Sequence, residues 1–273
     1  MDIASTVTLN NGVLMPRLGL GVWQAKAGDE VRSAVGWALE AGYRHIDTAS
    51  VYGNEHDVGV ALRESGLPRE EIFITTKLWN RDQGYARAGK AVDASLRDLD
   101  LDFVDLYLMH WPVKGLRLES WRAMEEALTA GKARAIGVSN FLQRHLDELV
   151  AKTSVVPAVD QVEFTPFLHQ RELLAHCKEL GIQLEAYSPL TRGRRLRDPA
   201  LAAVAKRHGV SPAQVLIRWA LQHDLVVIPK SVTRERIVQN ADVFGFAMDE
   251  TEMAALDALN EDVHYAWDPT GEA

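Results

Sequence analysis

Two hydrophobic rhythms alternate along this chain. Short, nearly continuous apolar runs give way to longer stretches in which apolar positions return every three or four residues, and the pair repeats from end to end. The short runs predict strands at Leu18 to Val22, Arg44 to Asp47, Ile72 to Lys77, Val104 to Met109, Ala133 to Val138, Ala158 to Val162, Gln183 to Tyr187 and Val226 to Ile228. The longer stretches predict helices near 29–41, 54–65, 85–99, 119–130, 142–151, 170–180, 211–222 and 233–242. Strands and helices in strict alternation, eight of each, are the count of an α/β fold of the (β/α)8 TIM barrel type. A doubly wound open sheet shares the alternation. Against it, the first strand-to-helix turn carries Gly19 and Gly21 but no third glycine opening a helix, so the dinucleotide fingerprint is missing.

Punctuation agrees with this reading. Gly42, Gly66, Gly131 and Gly181 each follow a helical run, where a left-handed cap is wanted, and Ser211-Pro212 opens a helix as N-cap and first turn. Ahead of the barrel, Thr6 to Leu9 and Val13 to Met15 flank Asn10-Asn11-Gly12 and predict a β-hairpin. Helical segments near 199–207 and 249–259 exceed the repeat and read as an insertion before the seventh helix and a carboxyl-terminal cap. No linker-like stretch interrupts the chain, so residues 1–273 read as a single domain.

Composition narrows the function classes. A chain that is 47% hydrophobic and 25% charged can bury a full core, and a net charge of -8 argues against nucleic acid as a partner. No apolar stretch reaches the roughly 18 residues that cross a bilayer, and no basic-then-apolar leader opens the chain. The expected setting is therefore cytoplasmic, without membrane association. Cys177 is the one cysteine, which excludes an intrachain disulfide and a cysteine-built metal site and reads as a packed core residue. The histidines are scattered, several on helices, so no metal is expected. An acidic surface without an obvious exposed apolar helix points to a monomer.

The residues at or just past the strand ends form a polar ring: Asp47 with Tyr52, then Lys77, His110, Ser139 and Asn140, Gln161, Ser188, and Lys230 with Ser231. Taken singly, each has a bland reading as a solvated loop residue or a satisfied histidine. Polar side chains above the carboxyl ends of barrel strands are where this architecture places catalytic groups. A tyrosine with a pKa near 10 is a poor proton donor and acceptor at neutral pH unless a cation steadies its phenolate; Lys77 is the candidate cation and Asp47 its partner. With His110 beside them, the four read as a general-acid site aimed at an oxygen, such as that of a carbonyl.

At this point the chain resembles the aldo-keto reductases. The resemblance rests on Gly42-Tyr43-Arg44-His45-Ile46-Asp47-Thr48-Ala49 with Tyr52-Gly53-Asn54-Glu55, on Thr75-Thr76-Lys77-Leu78-Trp79, on Val104 through Pro112, on Ile136-Gly137-Val138-Ser139-Asn140-Phe141, and on Ile228-Pro229-Lys230-Ser231. It implies reduction of aldehydes and ketones with NADP(H), the proton coming from Tyr52. Ser139, Asn140 and Gln161 match the family's carboxamide ligands, Tyr187 the stacking aromatic, and Ser188, Pro189 and Leu190 the loop over the pyrophosphate. Lys230, Ser231, Arg236, Gln239 and Asn240 resemble the clamp on adenine and the 2′-phosphate, which favours NADP(H) over NAD(H). Trp23, Trp79 and Trp111, with His110, would wall a pocket for a small carbonyl substrate. The short loop after Trp111-Pro112 and the short carboxyl-terminal segment resemble the prokaryotic branch near 2,5-diketo-D-gluconate reductases.

Two departures stand out: Asp160 where the family commonly has Asn, and the arginine-rich run Thr191-Arg192-Gly193-Arg194-Arg195-Leu196 after the Ser-Pro-Leu loop. The first is expected to alter the hydrogen bonding behind the carboxamide, the second to close over phosphates, attract an acidic substrate or stay solvated. Other classes fit less well. A regulatory barrel that holds the cofactor without turnover has no need of an intact Asp47, Tyr52, Lys77 and His110 set, and a metal-dependent hydrolase needs clustered ligands. A sugar-phosphate isomerase needs a glycine-rich phosphate loop after the seventh strand.

Overall fold

The computed structural model describes residues 1–272. A hairpin of β1 (Thr6–Thr8) and β2 (Leu14–Pro16) precedes eight parallel strands: β3 (Leu20–Gly21), β4 (His45–Asp47), β5 (Phe73–Leu78), β6 (Val104–Met109), β7 (Ala133–Ser139), β8 (Val159–Glu163), β9 (Gln183–Tyr187) and β10 (Val226–Ile228). They lie side by side in chain order. The seam between β10 and β3 closes through the bridges Leu18 to Val227 and Gly21 to Lys230, with the Gly19 N–H donating to Val227 O at 2.9 Å. A closed parallel sheet with outer helices is the expected TIM barrel.

The helices are α1 (Asp29–Glu40), α2 (Glu55–Glu64), α3 (Tyr85–Leu99), α4 (Arg117–Thr129), α5 (Gln143–Lys152), α6 (Arg171–Glu179), α7 (Pro199–His208), α8 (Pro212–Gln222), α9 (Arg234–Ala241) and α10 (Glu250–Asp257). Of these, α7 and α10 are the two that exceed the repeat. Local chemistry sets their ends. Ser211 and Gln214 form a reciprocal capping box at the start of α8, and Gly42, Gly66, Gly131 and Gly181 all adopt positive φ.

Strand alternation splits the core in two. Leu106 and Leu108 of β6, Phe73 of β5 and Val159 of β8 pack inside the lower barrel, which the hairpin plugs with Met15 and Val7. Tyr107, Met109, Ile74 and Val162 from the same strands face the helices. The inward parity continues upward through Asp47, Lys77, Ser139, Gln161 and Tyr187, so the apolar floor gives way to the polar ring. Gly137 is required on this inner face, because a Cβ there would sit 2.5 Å from Val159 O.

Candidate active site

Lys77 ends its inward run fully enclosed, at 0% exposure. Such a cation persists only if its protons are taken. They are: Nζ donates to Asp47 Oδ1 at 2.6 Å, to Asp47 Oδ2 at 2.8 Å and to Thr48 O at 2.9 Å. Beyond β4 the chain makes one 3-10 turn, Ser50–Tyr52, closed by Gly53 at φ 66 and tied to β5 by Ser50 Oγ donating to Lys77 O. Asn54 fastens the turn from behind, accepting from Thr48 and donating to the carbonyls of Val22 and Ala25. The turn carries the half-buried Tyr52 ring over the ammonium, 5.2 Å from Nζ to centroid, and edge-on to His110 at 5.9 Å. All four predicted catalytic side chains are thus brought together.

The electrostatics differ from the expectation at one point. Lys77 is committed to Asp47 rather than to the tyrosine. The Tyr52 hydroxyl is pushed well above its ordinary range by burial, then by the carboxyls of Asp47 and Glu185. Tyr52 therefore holds its proton firmly, as a hydrogen-bond donor to an oxygen. Burial, then the Lys77 charge, holds His110 well below the usual imidazole range, so it is neutral. Its Nδ1 is enclosed without a partner among the described residues, which leaves Nε2 as the ring's available polar atom.

Beside this group the carboxamide candidates form a connected patch. Gln161 Nε2 donates to Asp47 Oδ2 at 2.8 Å, Ser139 Oγ donates to Gln161 O, and Asn140 Nδ2 donates to His110 O at 3.0 Å. Asn140 sits at φ 63, and its Oδ1 accepts from Tyr187 OH at 2.8 Å. A cavity of about 60 Å³ is lined by these residues with Trp23, Tyr52, His110, Ser188, Lys230 and Trp267. Pro189 is buried and Leu190 half-buried behind Ser188. Past β10, Lys230 and Arg236 are exposed with no ion pair among the described residues, whereas Arg234 is taken by Glu40 at 3.0 Å. Ser231 and Asn240 are buried and Gln239 exposed on the same segment.

A second cavity, about 230 Å³, opens above Tyr52 and His110 between Trp23, Gln24, Val51, Trp79 and Trp267. Trp111, expected in the wall, is 8% exposed and stands behind Trp267, with ring centroids 6.2 Å apart. Trp267 itself was not legible, because the segment after α10 has no periodicity. Distant anchors hold it: buried Glu163 accepts from the N–H groups of Tyr265 and Ala266, and Arg195 reaches Glu261 at 2.7 Å and Tyr265 OH at 2.9 Å. The arginine run thereby divides, Arg195 tying down this segment and Arg192 lying 4.5 Å over the Trp23 ring. Asp160 has its neighbours on the helix side of β8, near Cys177, and burial holds its carboxyl well above the usual range. Glu185, fully enclosed in mid-strand, was also missed; alternation with Tyr187 was the signal that places it inside the barrel.

Three larger hollows, of about 550, 750 and 320 Å³, lie on other faces and include none of the ring. A trio of His169, His223 and Asp257 on one of those faces has its polar atoms within 4.8 Å of one another. Its atoms are engaged by the protein, since Asp257 Oδ1 accepts from Trp219 and bonds His223, and Arg171 donates to His169.

Comparison with known proteins bears on this geometry. The aldo/keto reductase family model matches residues 17–261. A glyoxal reductase of Bacillus subtilis is 50% identical over 96% of this chain and 95% of its own length. A morphine 6-dehydrogenase of Pseudomonas putida is 50% identical over 96% and 94%. The crystal structure of a Bombyx mori aldo-keto reductase in complex with NADP superposes with a TM-score of 0.91 at 39% identity, covering 97% of this chain and 96% of that one. The chain belongs to the aldo/keto reductase family.

Proposed function

We propose that this protein reduces small aldehydes, dicarbonyls and keto sugars with NADPH, and that it sits near the 2,5-diketo-D-gluconate reductase branch of its family. The carrying observation is the convergence of Tyr52 and His110 at the base of an aromatic cavity, above a buried and fully paired Lys77 and Asp47. The residues fit the cofactor. Lys230 and the exposed Arg236, at the amino end of α9, offer unpaired cations to a 2′-phosphate, and the face of Tyr187 beside Ser139, Asn140 and Gln161 suits a flat amide-bearing ring. When bound, NADPH supplies the hydride. Ser188, Pro189 and Leu190 would cover the pyrophosphate, and Ser231, Gln239 and Asn240 would flank the adenosine.

The protein's own task is then to seat a carbonyl oxygen between Tyr52 and His110 and to deliver a proton to it. Tyr52 retains its proton until negative charge develops on that oxygen, which is when a donor stabilises the transition state more than the ground state. Neutral His110 orients the oxygen by hydrogen bonding. Trp23, Trp79 and Trp267, backed by Trp111, exclude water and grip a small apolar flank. The cavity's modest size and the glyoxal-reducing relative support small dicarbonyls as substrates. We also infer a single domain acting as a cytoplasmic monomer without nucleic-acid partners. This rests on one closed barrel, a net charge of -8, and no helix long and apolar enough to cross a membrane among the described residues.

Loss of NADPH absorbance with a panel of aldehydes, dicarbonyls and keto sugars tests the reading. Wild type should consume NADPH. Tyr52→Phe should bind it equally well yet turn over about 10²- to 10⁴-fold more slowly. Near-normal turnover in that variant would assign the proton to another group.

A further inference from the structure

Beneath the polar ring lies a second buried carboxyl that the proposed mechanism does not use. Glu185, midway along β9, is 0% exposed, and its Oε2 accepts from Gln161 Nε2 at 2.9 Å. The same nitrogen donates to Asp47 Oδ2 at 2.8 Å. A side-chain amide has two N–H donors on one end and a carbonyl on the other. Two carboxyl oxygens, one from β4 and one from β9, therefore take both hydrogens and fix which way the amide faces. The Gln161 carbonyl oxygen is left without a donor among the described residues, on a side chain that lines the cavity. The neighbouring amide offers no such freedom: Asn140 Oδ1 is occupied by Tyr187 OH, and its nitrogen serves His110 O and Ser139 Oγ.

We propose that Glu185 is a positioning residue for the cofactor: by sharing the Gln161 amide nitrogen with Asp47, it turns the Gln161 carbonyl towards the carboxamide NH2 of a bound nicotinamide. The inference rests on the NADP(H) reading given above. It explains why a carboxyl occupies the barrel interior, where an apolar residue would pack at lower cost. Oε2 carries the one hydrogen bond of this carboxyl among the described residues, and Oε1 has no hydrogen-bond partner there. The groups facing Glu185 are Asp47 and His45 of β4, Lys77 of β5 and Gln161 of β8; His45 Nε2 lies 3.7 Å from Oε1 and 3.0 Å from Thr75 Oγ1. Burial, then the Asp47 charge, pushes the Glu185 carboxyl up to about 8. Burial, then the Lys77 charge, holds His45 down to about 3. At neutral pH both are uncharged, and a protonated carboxyl still accepts through its carbonyl oxygen. Lys77 and Asp47 then remain a balanced pair.

The test needs binding and no turnover. Wild type, Glu185→Met and Glu185→Gln are titrated with NADP+ and with its 3-acetylpyridine analogue, which keeps a carbonyl but lacks the amide NH2, following quenching of tryptophan fluorescence. Met matches Glu in length and has no strong acceptor; Gln restores one. Glu185→Met should weaken NADP+ by about 3- to 10-fold, the range of one neutral hydrogen bond, and change the analogue less than about twofold. Glu185→Gln should keep the wild-type preference. An equal loss for both ligands in the Met variant, or no loss for either, overturns the proposal. Should the Met variant not fold, the Gln variant decides alone: a preserved preference supports the proposal and a lost one overturns it. Failure of wild type to bind NADP+ would instead overturn the cofactor reading and this proposal with it, an outcome visible before any variant is made.

Discussion

The floor and the rim of the cleft handle charge in opposite ways. On the floor, Lys77, Asp47, Gln161 and Glu185 are buried and joined to one another by hydrogen bonds of 2.6 to 2.9 Å. On the rim, Lys230 and Arg236 face solvent with no carboxylate partner among the described residues. A buried charge must be paired by the fold itself, because nothing else arrives to pair it. An exposed one costs little while unpaired and gains only when a ligand comes. The floor is preorganised chemistry and the rim is recognition, so removing a residue from each should damage different properties.

Lys77→Met makes the sharpest break. It strands the Asp47 carboxyl in a dry interior, and breaking a buried pair in this way costs about 3 to 5 kcal/mol. Chemical denaturation should show that loss. The double variant Lys77→Met, Asp47→Leu should recover much of it, since two apolar side chains leave no charge uncompensated. If the single variant is as stable as wild type, the floor is not held by pairing and the contrast collapses.

Arg236→Ala should act on the other side. Its stability should change by less than about 0.5 kcal/mol, as for exposed residues generally, while its affinity for NADPH should fall by about 10- to 100-fold, the range of a charge-assisted hydrogen bond to phosphate. NADH affinity should hardly move. Arg234→Ala is the internal control, because its guanidinium is already engaged by Glu40 at the surface. Equal effects of the two substitutions, or equal losses of NADPH and NADH, would remove Arg236 from the phosphate site.

The same division explains what was legible in the sequence. Val104–Met109 is found where its nearly continuous apolar run places it, since a strand covered on both faces is largely apolar along its length. Leu18 to Val22 shrinks to Leu20–Gly21 because this seam strand closes the barrel through isolated bridges. Asp47 and Lys77 could be read off as polar residues at or next to a strand end, and Gln161 as one near the end of its apolar run, although β8 continues to Glu163. Glu185 was harder to read, because a charge in mid-strand breaks the apolar run without marking an end, and its alternation with Tyr187 was the one signal of its face. Trp267 was hidden for another reason. Its position depends on Glu163, a hundred residues earlier in the chain, accepting the N–H groups of Tyr265 and Ala266. No local pattern encodes a contact of that kind.

The gentlest test of the floor is its pH dependence. Glu185 is raised from 4.5 to about 8 by burial and then by Asp47, so between those values the folded protein carries a proton that the unfolded chain has released. Unfolding in that window therefore sheds a proton, and a rising pH favours it. The contribution of Glu185 is fully present below the unfolded pKa and is lost as pH rises through the folded one. Its slope is at most about 1.4 kcal/mol per pH unit, less where the proton is shared with Asp47. His45, held down to about 3, tilts the other way, but only below its unfolded value of 6.5. Comparison with Glu185→Gln cancels that term and every other group common to both proteins. Denaturation at about pH 5.5 and about pH 7.5 should show the Gln variant gaining stability relative to wild type as pH rises. A constant difference would mean that Glu185 is ionised throughout. The interior would then hold two anions against one ammonium, and the floor would no longer be a set of balanced charges at all.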